Sequence, residues 1–125
     1  MGSRWDAQRH EDKYTTGIPD LSYSTTVGGW IELKFTATEP APNKSLRFKH
    51  FTPEQRNWLV KHGNRTGLCF LFMRVGPKFI LLRHSQLHLV NNPVVPYVVL
   101  LRDAYRVWEK QVNWDEFTEL ISTAG

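Results

Sequence analysis

Asp20 follows Pro19, and eleven residues lie between it and the run Glu32-Leu33-Lys34. Two carboxylates held close together repel, and each has its pKa raised unless a cation joins them. A hard divalent ion such as Mg²⁺ takes carboxylate and carbonyl oxygens and keeps several waters. Asp20, Glu32 and the backbone carbonyl of Leu33 are its candidate protein ligands. The bound ion would lower the pKa of its water and neutralise charge developing on a phosphate, which is the chemistry of phosphodiester hydrolysis. Lys34 would orient or deprotonate the water, or stabilise the transition state; the residue types leave these roles open. Taken singly, Pro-Asp is commonly a turn and Glu-x-Lys a solvated strand face. The combination carries the reading.

The element that must position these groups is a β-hairpin. Strand-forming Leu21, Tyr23, Thr25 and Thr26 lead to a Val27-Gly28-Gly29 turn, and Trp30 to Thr36 return. Side chains alternate on a strand, so Glu32 and Lys34 share one face and Ile31, Leu33 and Phe35 the other. The apolar set is expected on the core side, with the acid and the lysine opposite. Pro19 fixes φ and donates nothing to the ladder, as suits a strand start.

The segments GIPDL and WIELK resemble the active-site signature of the PD-(D/E)xK nucleases. Within that superfamily the chain is most similar to the small VRR-NUC and Holliday-junction-resolvase-like endonucleases of bacteriophage genomes. HFTPEQRNWLVKHGNRTGLCFLFMRVG resembles the family's Gln-bearing helix and the strand after it, so the likeness spans roughly residues 9 to 82. It implies an α/β fold, a mixed central β-sheet flanked by helices with a restriction-endonuclease-like core. It also implies Mg²⁺ or Mn²⁺ as cofactor, branched DNA such as a four-way junction as substrate, and a homodimer, since symmetric junction cleavage needs two sites. In the family the Gln lies beside the active site, which would let Gln55 contact water or DNA. A capping role explains Gln55 equally well. Relatives begin with a longer helix that supplies one more acid; residues 4–16 here are polar and lack that periodicity. Glu11 is the candidate extra acid, with Asp6 and Asp12 behind it.

At 125 residues the chain is expected to form a single domain with a real core. Hydrophobic content of 41% and charged content of 22% argue against disorder throughout. A net charge of +4 and a pI near 9.4 suit a polyanionic partner. One cysteine, Cys69, excludes an intrachain disulfide; it sits in an apolar run where a buried, inert thiol is expected. The polar first twelve residues predict no signal peptide, and the longest apolar stretch, Val94 to Leu101, is too short to span a bilayer. The expected location is the cytoplasm, that of the host cell if the chain is phage-encoded.

After the hairpin, residues 38–45 read as a Pro-rich loop, and Leu46 to His50 alternate apolar and basic residues like a short strand or extended arm. Lys44, Arg47, Lys49, Arg56, Lys61 and Arg65 stand against a single acid, Glu54, and are the candidates for gripping a phosphate backbone. Thr52-Pro53-Glu54-Gln55 predicts a helix start through a capping box, and Gly63-Asn64 predicts its end. Leu68 to Val75 reads as a central strand buried on both faces, and Lys78 to Arg83 as its partner after a Gly76-Pro77 turn. His84 and His88 have helical spacing for a metal, without acids or thiols beside them. Val94 to Leu101 is expected to be extended. Asp103 is expected to cap a helix over 104–111, and Asn113 another, with Phe117, Leu120 and Ile121 on its apolar side.

The reading is a metal-dependent DNA endonuclease. Its rivals are a binding module of the same fold without catalysis, and a phage factor acting on a protein through its aromatic surface.

Overall fold

The computed structural model describes residues 6–9, 21–24 and 29–123, and the side chains of residues 29–122. Six strands form one sheet in the order of the sequence: β1 (Asp6–Arg9), β2 (Leu21–Ser24), β3 (Gly29–Thr36), β4 (Cys69–Val75), β5 (Lys78–Arg83) and β6 (Arg106–Glu109). All neighbours run antiparallel except β3 and β4, which are parallel. A parallel pair needs a crossover, and α1 (Pro53–Thr66) supplies it. A short 3₁₀ helix (His84–Leu89), α2 (Tyr97–Asp103) and α3 (Trp114–Thr123) complete the described elements. The architecture is α/β, a mixed sheet with helices on both faces. No helix among the described residues is long and apolar enough to cross a membrane.

Strand β4 explains why both faces must be covered. Cys69, Leu71, Met73 and Val75 point to one face and Phe70 to the other, all with 0% exposure. The first face packs against Leu59 of α1, Leu87 and Leu89 of the 3₁₀ helix, and Tyr97 and Leu100 of α2. The second packs against Trp108, Phe117 and Ile121, so the apolar side of α3 is met by the chain's own sheet. The expected hairpin is present as β2 and β3, paired Leu21 to Ile31 and Tyr23 to Gly29. Gly29 therefore belongs to the strand, and β2 ends at Ser24; Thr25 to Gly28 lie outside the described residues. Ile31 faces the second core as expected, but Phe35 is exposed and the face bearing Glu32 is also buried. Cys69 is inert as read: burial pushes its thiol up to about 12.

Residues 6–9, the described part of 4–16, form strand β1, a segment in which the sequence showed no helical periodicity. Three expectations are corrected. Helix α1 runs through Gly63 and Asn64 to Thr66, and Gly67 is the left-handed cap with φ +75°. Gly63 is instead a packing glycine: a Cβ there would lie 2.2 Å from Cγ of His84. Val94 to Leu101 is not extended, because Pro96 sits at the N-cap of α2, where its missing N–H costs nothing. Tyr97 and Leu100 turn inward at helical spacing. The expected helix over 104–111 is replaced by β6, which pairs along β5 and sends Val107 and Trp108 to opposite faces. Asp103 ends α2 instead of capping a helix.

The Pro-rich loop is pinned at Glu39, whose Oε2 meets Lys78 Nζ at 2.8 Å and accepts from the Tyr97 hydroxyl at 2.8 Å. The Lys78 hydrogen bond holds Glu39 below its ordinary value against the opposing effect of burial. Burial, with Glu39 adjoining, raises Tyr97.

Candidate active site

Strand β3 puts Glu32 and Lys34 on the face covered by α1, next to β4 positions Leu71 and Met73. Glu32 is 1% exposed, and its Oε2 lies 3.2 Å from Lys34 Nζ. A carboxylate taken out of water is tolerated only with a compensating charge, which Lys34 provides. The lysine is itself held: Nζ donates to the His50 carbonyl at 3.1 Å and stands 5.9 Å from the centre of the Phe51 ring. It thus bridges the buried acid to the segment that enters α1. Trp30, two residues before Glu32, meets Trp58 of α1 edge-on at 5.0 Å, and Trp58 stacks on His62 at 3.6 Å.

The backbone of β3 has a defined polarity. The Trp30 N–H donates to Leu68 and the Thr36 carbonyl accepts from Gly76, so even-numbered residues turn their peptide groups toward β4. By alternation the Leu33 carbonyl turns toward the β2 side. Leu21, the first residue of β2, is paired there with Ile31. Glu32 carboxylate and Leu33 carbonyl are hard oxygen donors and fit a Mg²⁺- or Mn²⁺-class ion better than a soft metal. Asp20, Glu11 and Asp12 lie outside the described residues; Asp6 falls in β1. Among the described residues no three of His, Cys, Asp and Glu gather as a metal cluster. His84 and His88 fall on a 3₁₀ helix, whose three residues per turn do not align positions four apart.

Gln55 forms the predicted capping box. Its Oε1 accepts from Thr52 N at 3.1 Å, and Thr52 Oγ1 accepts from Gln55 N at 3.2 Å. All six candidate phosphate contacts are exposed, but the fold sorts them. Arg47, Lys49 and Arg56 gather around a cleft of about 360 Å³ at the N-terminal end of α1, which Phe51 and Thr52 also line. Phe51 is the residue beneath Lys34, so this cleft adjoins the buried ion pair. Lys61 and Arg65 stand one turn apart further along α1, and Lys44 lies in the loop, its carbonyl accepting from Tyr97 N at 2.7 Å.

Sequence reasoning missed the residues that brace this cleft. Residues 46–48 are extended, and 49–50 turn, with Phe51 N donating to the Phe48 carbonyl at 3.2 Å. Along this arm Leu46 and Phe48 are buried and Arg47 and Lys49 outward, as the alternation implied. The arm is clamped by Asn91: Oδ1 accepts from Phe48 N at 2.6 Å, and Nδ2 donates to the Phe48 and Phe51 carbonyls at 3.0 and 3.1 Å. Asn91 has φ +53°, a conformation asparagine adopts more readily than most residues. The residue types of Asn91-Asn92-Pro93 mark a chain break, but not the partners 40 and 43 positions earlier.

No protein-family model matches the sequence, and no curated protein does. Among solved structures the chain is similar to a Holliday junction resolvase of the archaeal hyperthermophile Archaeoglobus fulgidus. The two are 14% identical, the match covers 66% of this chain and 67% of that one, and the TM-score is 0.45.

Proposed function

We propose that this chain is a metal-dependent endonuclease that hydrolyses DNA phosphodiesters with an activated water. The observation that carries the reading is a fully buried Glu32 in ion contact with Lys34 on a central strand, beside a cleft lined by Arg47, Lys49 and Arg56. A buried acid–lysine pair next to a basic cleft suits a site that holds a phosphate and acts on it. Glu32, the Leu33 carbonyl and Asp20 would hold Mg²⁺ or Mn²⁺, which supplies a lowered water pKa and neutralises charge on the phosphate. Lys34 orients the water or stabilises the charge forming on phosphate oxygen. Arg47, Lys49 and Arg56 neutralise the backbone on either side of the scissile bond. Gln55 caps α1 and thereby fixes the rim of the cleft; Glu11 is the proposed additional acid. The likeness of the hairpin and Gln-helix segments to junction-resolving nucleases favours branched DNA and a two-fold dimer.

The test is cleavage of labelled four-way-junction, flap and linear duplex DNA with Mg²⁺, Mn²⁺ or EDTA. Metal-dependent cutting that Glu32→Ala and Lys34→Ala both abolish is expected. Binding without cutting under every metal would leave the non-catalytic module as the reading, and the absence of both binding and cutting would refute a nucleic-acid role.

A further inference from the structure

The His50 carbonyl that receives Lys34 Nζ at 3.1 Å belongs to a turn, and a residue far along the chain holds that turn. Lys49 and His50 are its central residues, and Phe51 N donates to the Phe48 carbonyl at 3.2 Å. The peptide group joining His50 to Phe51 is planar and trans, so its C=O and N–H point in opposite directions within one plane. Fixing the Phe51 N–H on Phe48 therefore fixes the direction of the His50 carbonyl. The Phe48 carbonyl is itself held by Asn91, whose Nδ2 donates to it at 3.0 Å. An unbroken run of hydrogen bonds through one rigid peptide plane thus connects Asn91 with the Lys34 ammonium.

The remaining bonds of Asn91 hold the backbone on both sides of His50. Its Oδ1 accepts from Phe48 N at 2.6 Å, and Nδ2 also donates to the Phe51 carbonyl at 3.1 Å. Asn91 works from a fixed base: its own N–H donates to the Leu46 carbonyl at 2.9 Å, and Leu89 and Val90 before it are buried. Burial of Phe48 and Phe51 sets the depth of the turn but not the rotation of its peptide planes, which directional hydrogen bonds determine. Lys34 needs such a fixed acceptor, because a lysine ammonium rides on a flexible four-carbon stem. Its place 3.2 Å from Glu32 Oε2 and over the Phe51 ring is set where the turn stands.

We propose that Asn91 is a positioning residue for the candidate active site: through Phe48 and His50 it sets where the Lys34 ammonium stands against Glu32. The positioning is a property of the fold, while its consequence for catalysis rests on the nuclease reading. Arg47 and Lys49, on the same arm, reach phosphates through long side chains that accommodate a small shift of the backbone. A group that orients the attacking water does not accommodate one. Loss of the Asn91 amide therefore acts on the rate of the bound complex rather than on its affinity.

Asn91→Gly isolates the amide: glycine accepts φ +53° without strain, and the backbone bond to Leu46 remains. Asn91→Asp is the second variant, which keeps the acceptor for Phe48 N and loses both donated bonds. Gly67→Ala, at the far end of α1, controls for a general loss of stability. The first readout is NMR of the Lys34 Nζ–H group in metal-free protein, where ammonium protons held by Glu32 and His50 exchange slowly enough to be seen. The signal is expected in the wild type and in Gly67→Ala, and should be lost in both Asn91 variants. The second readout is single-turnover cleavage of four-way-junction DNA with Mg²⁺, beside DNA affinity in EDTA. In Asn91→Gly the rate at saturating DNA should fall at least about tenfold while the Kd stays near the wild-type value. No held ammonium in the wild type, or one unchanged in the Asn91 variants, would overturn the positioning. A lost signal with the saturated rate unchanged, or an equal fall in rate in Gly67→Ala, would overturn its part in the reaction. A wild type that cuts no DNA would refute the nuclease reading alone, and the ammonium signal would still decide the positioning.

Discussion

Gly63→Ala would test how α1 is seated on the sheet. A Cβ at this position would lie 2.2 Å from Cγ, 2.4 Å from Cβ and 2.7 Å from Cδ2 of His84. Carbon atoms are comfortable at about 3.5–4.0 Å, so the pair must separate by more than ~1 Å. Turning the imidazole relieves the two ring contacts but not the contact with His84 Cβ, which is tied to the backbone. The 3₁₀ helix and α1 must therefore part along a seam that buries Leu59 at 0% and Leu87 at 1% exposure. Alanine gains about 1 kcal/mol over glycine in a helix, while overpacking costs about 1–3 kcal/mol. A net loss of about 1 kcal/mol is expected, read as a lower urea midpoint at unchanged slope. In a His84→Gly background the obstacle is gone, and Gly63→Ala should stabilise by up to ~1 kcal/mol. Equal effects in both backgrounds, or stabilisation with His84 present, would refute the reasoning. Gly67→Ala should behave differently, losing about 1 kcal/mol in either background because φ is +75° there.

The buried pair gives another expectation. Lys34→Met removes the ammonium 3.2 Å from Glu32, which is 1% exposed, and should cost about 3 kcal/mol, whereas adding Glu32→Gln should recover most of that loss. Thermal unfolding of both singles and the double checks it, and additive losses would contradict it. Glu39 makes acid sensitivity local. Its folded pKa lies below the ordinary value, so its stabilisation is present above the unfolded pKa and is lost as pH falls through the lowered one. Glu39→Gln should lose about 1 kcal/mol at neutral pH and converge with the wild type in acid. Curves that stay parallel would rule out that contribution.

Much of the site was legible because it lies within short stretches. Glu32 and Lys34 are two residues apart, and strand alternation alone places them on one face. Thr52 and Gln55 are three apart, and a capping box needs nothing from the rest of the chain. The buried run of β4 announces a central strand by composition. The buried and outward sides of the basic segment at residues 46–50 were likewise readable from its alternation, though not the turn at 49–50 that ends it.

What the sequence misplaced depended on partners distant along the chain. Arg106 to Glu109 carry no pattern that separates one turn of helix from a short strand; the open edge of β5 decides it. Val94 to Leu101 looks extended until Pro96 is seen as a cap and the first core as the surface that Tyr97 and Leu100 reach. Gly63 followed by Asn64 has the composition of a helix end, and only the approach of His84 makes it a packing position. The sorting of the six exposed basic residues, with Arg47, Lys49 and Arg56 at the cleft, Lys61 and Arg65 further along α1 and Lys44 in the loop, was equally hidden. Local hydrogen bonding and side-chain alternation are determined by sequence neighbours. Close approach between segments, and the cavities left between them, arise only when the tertiary structure brings those segments together.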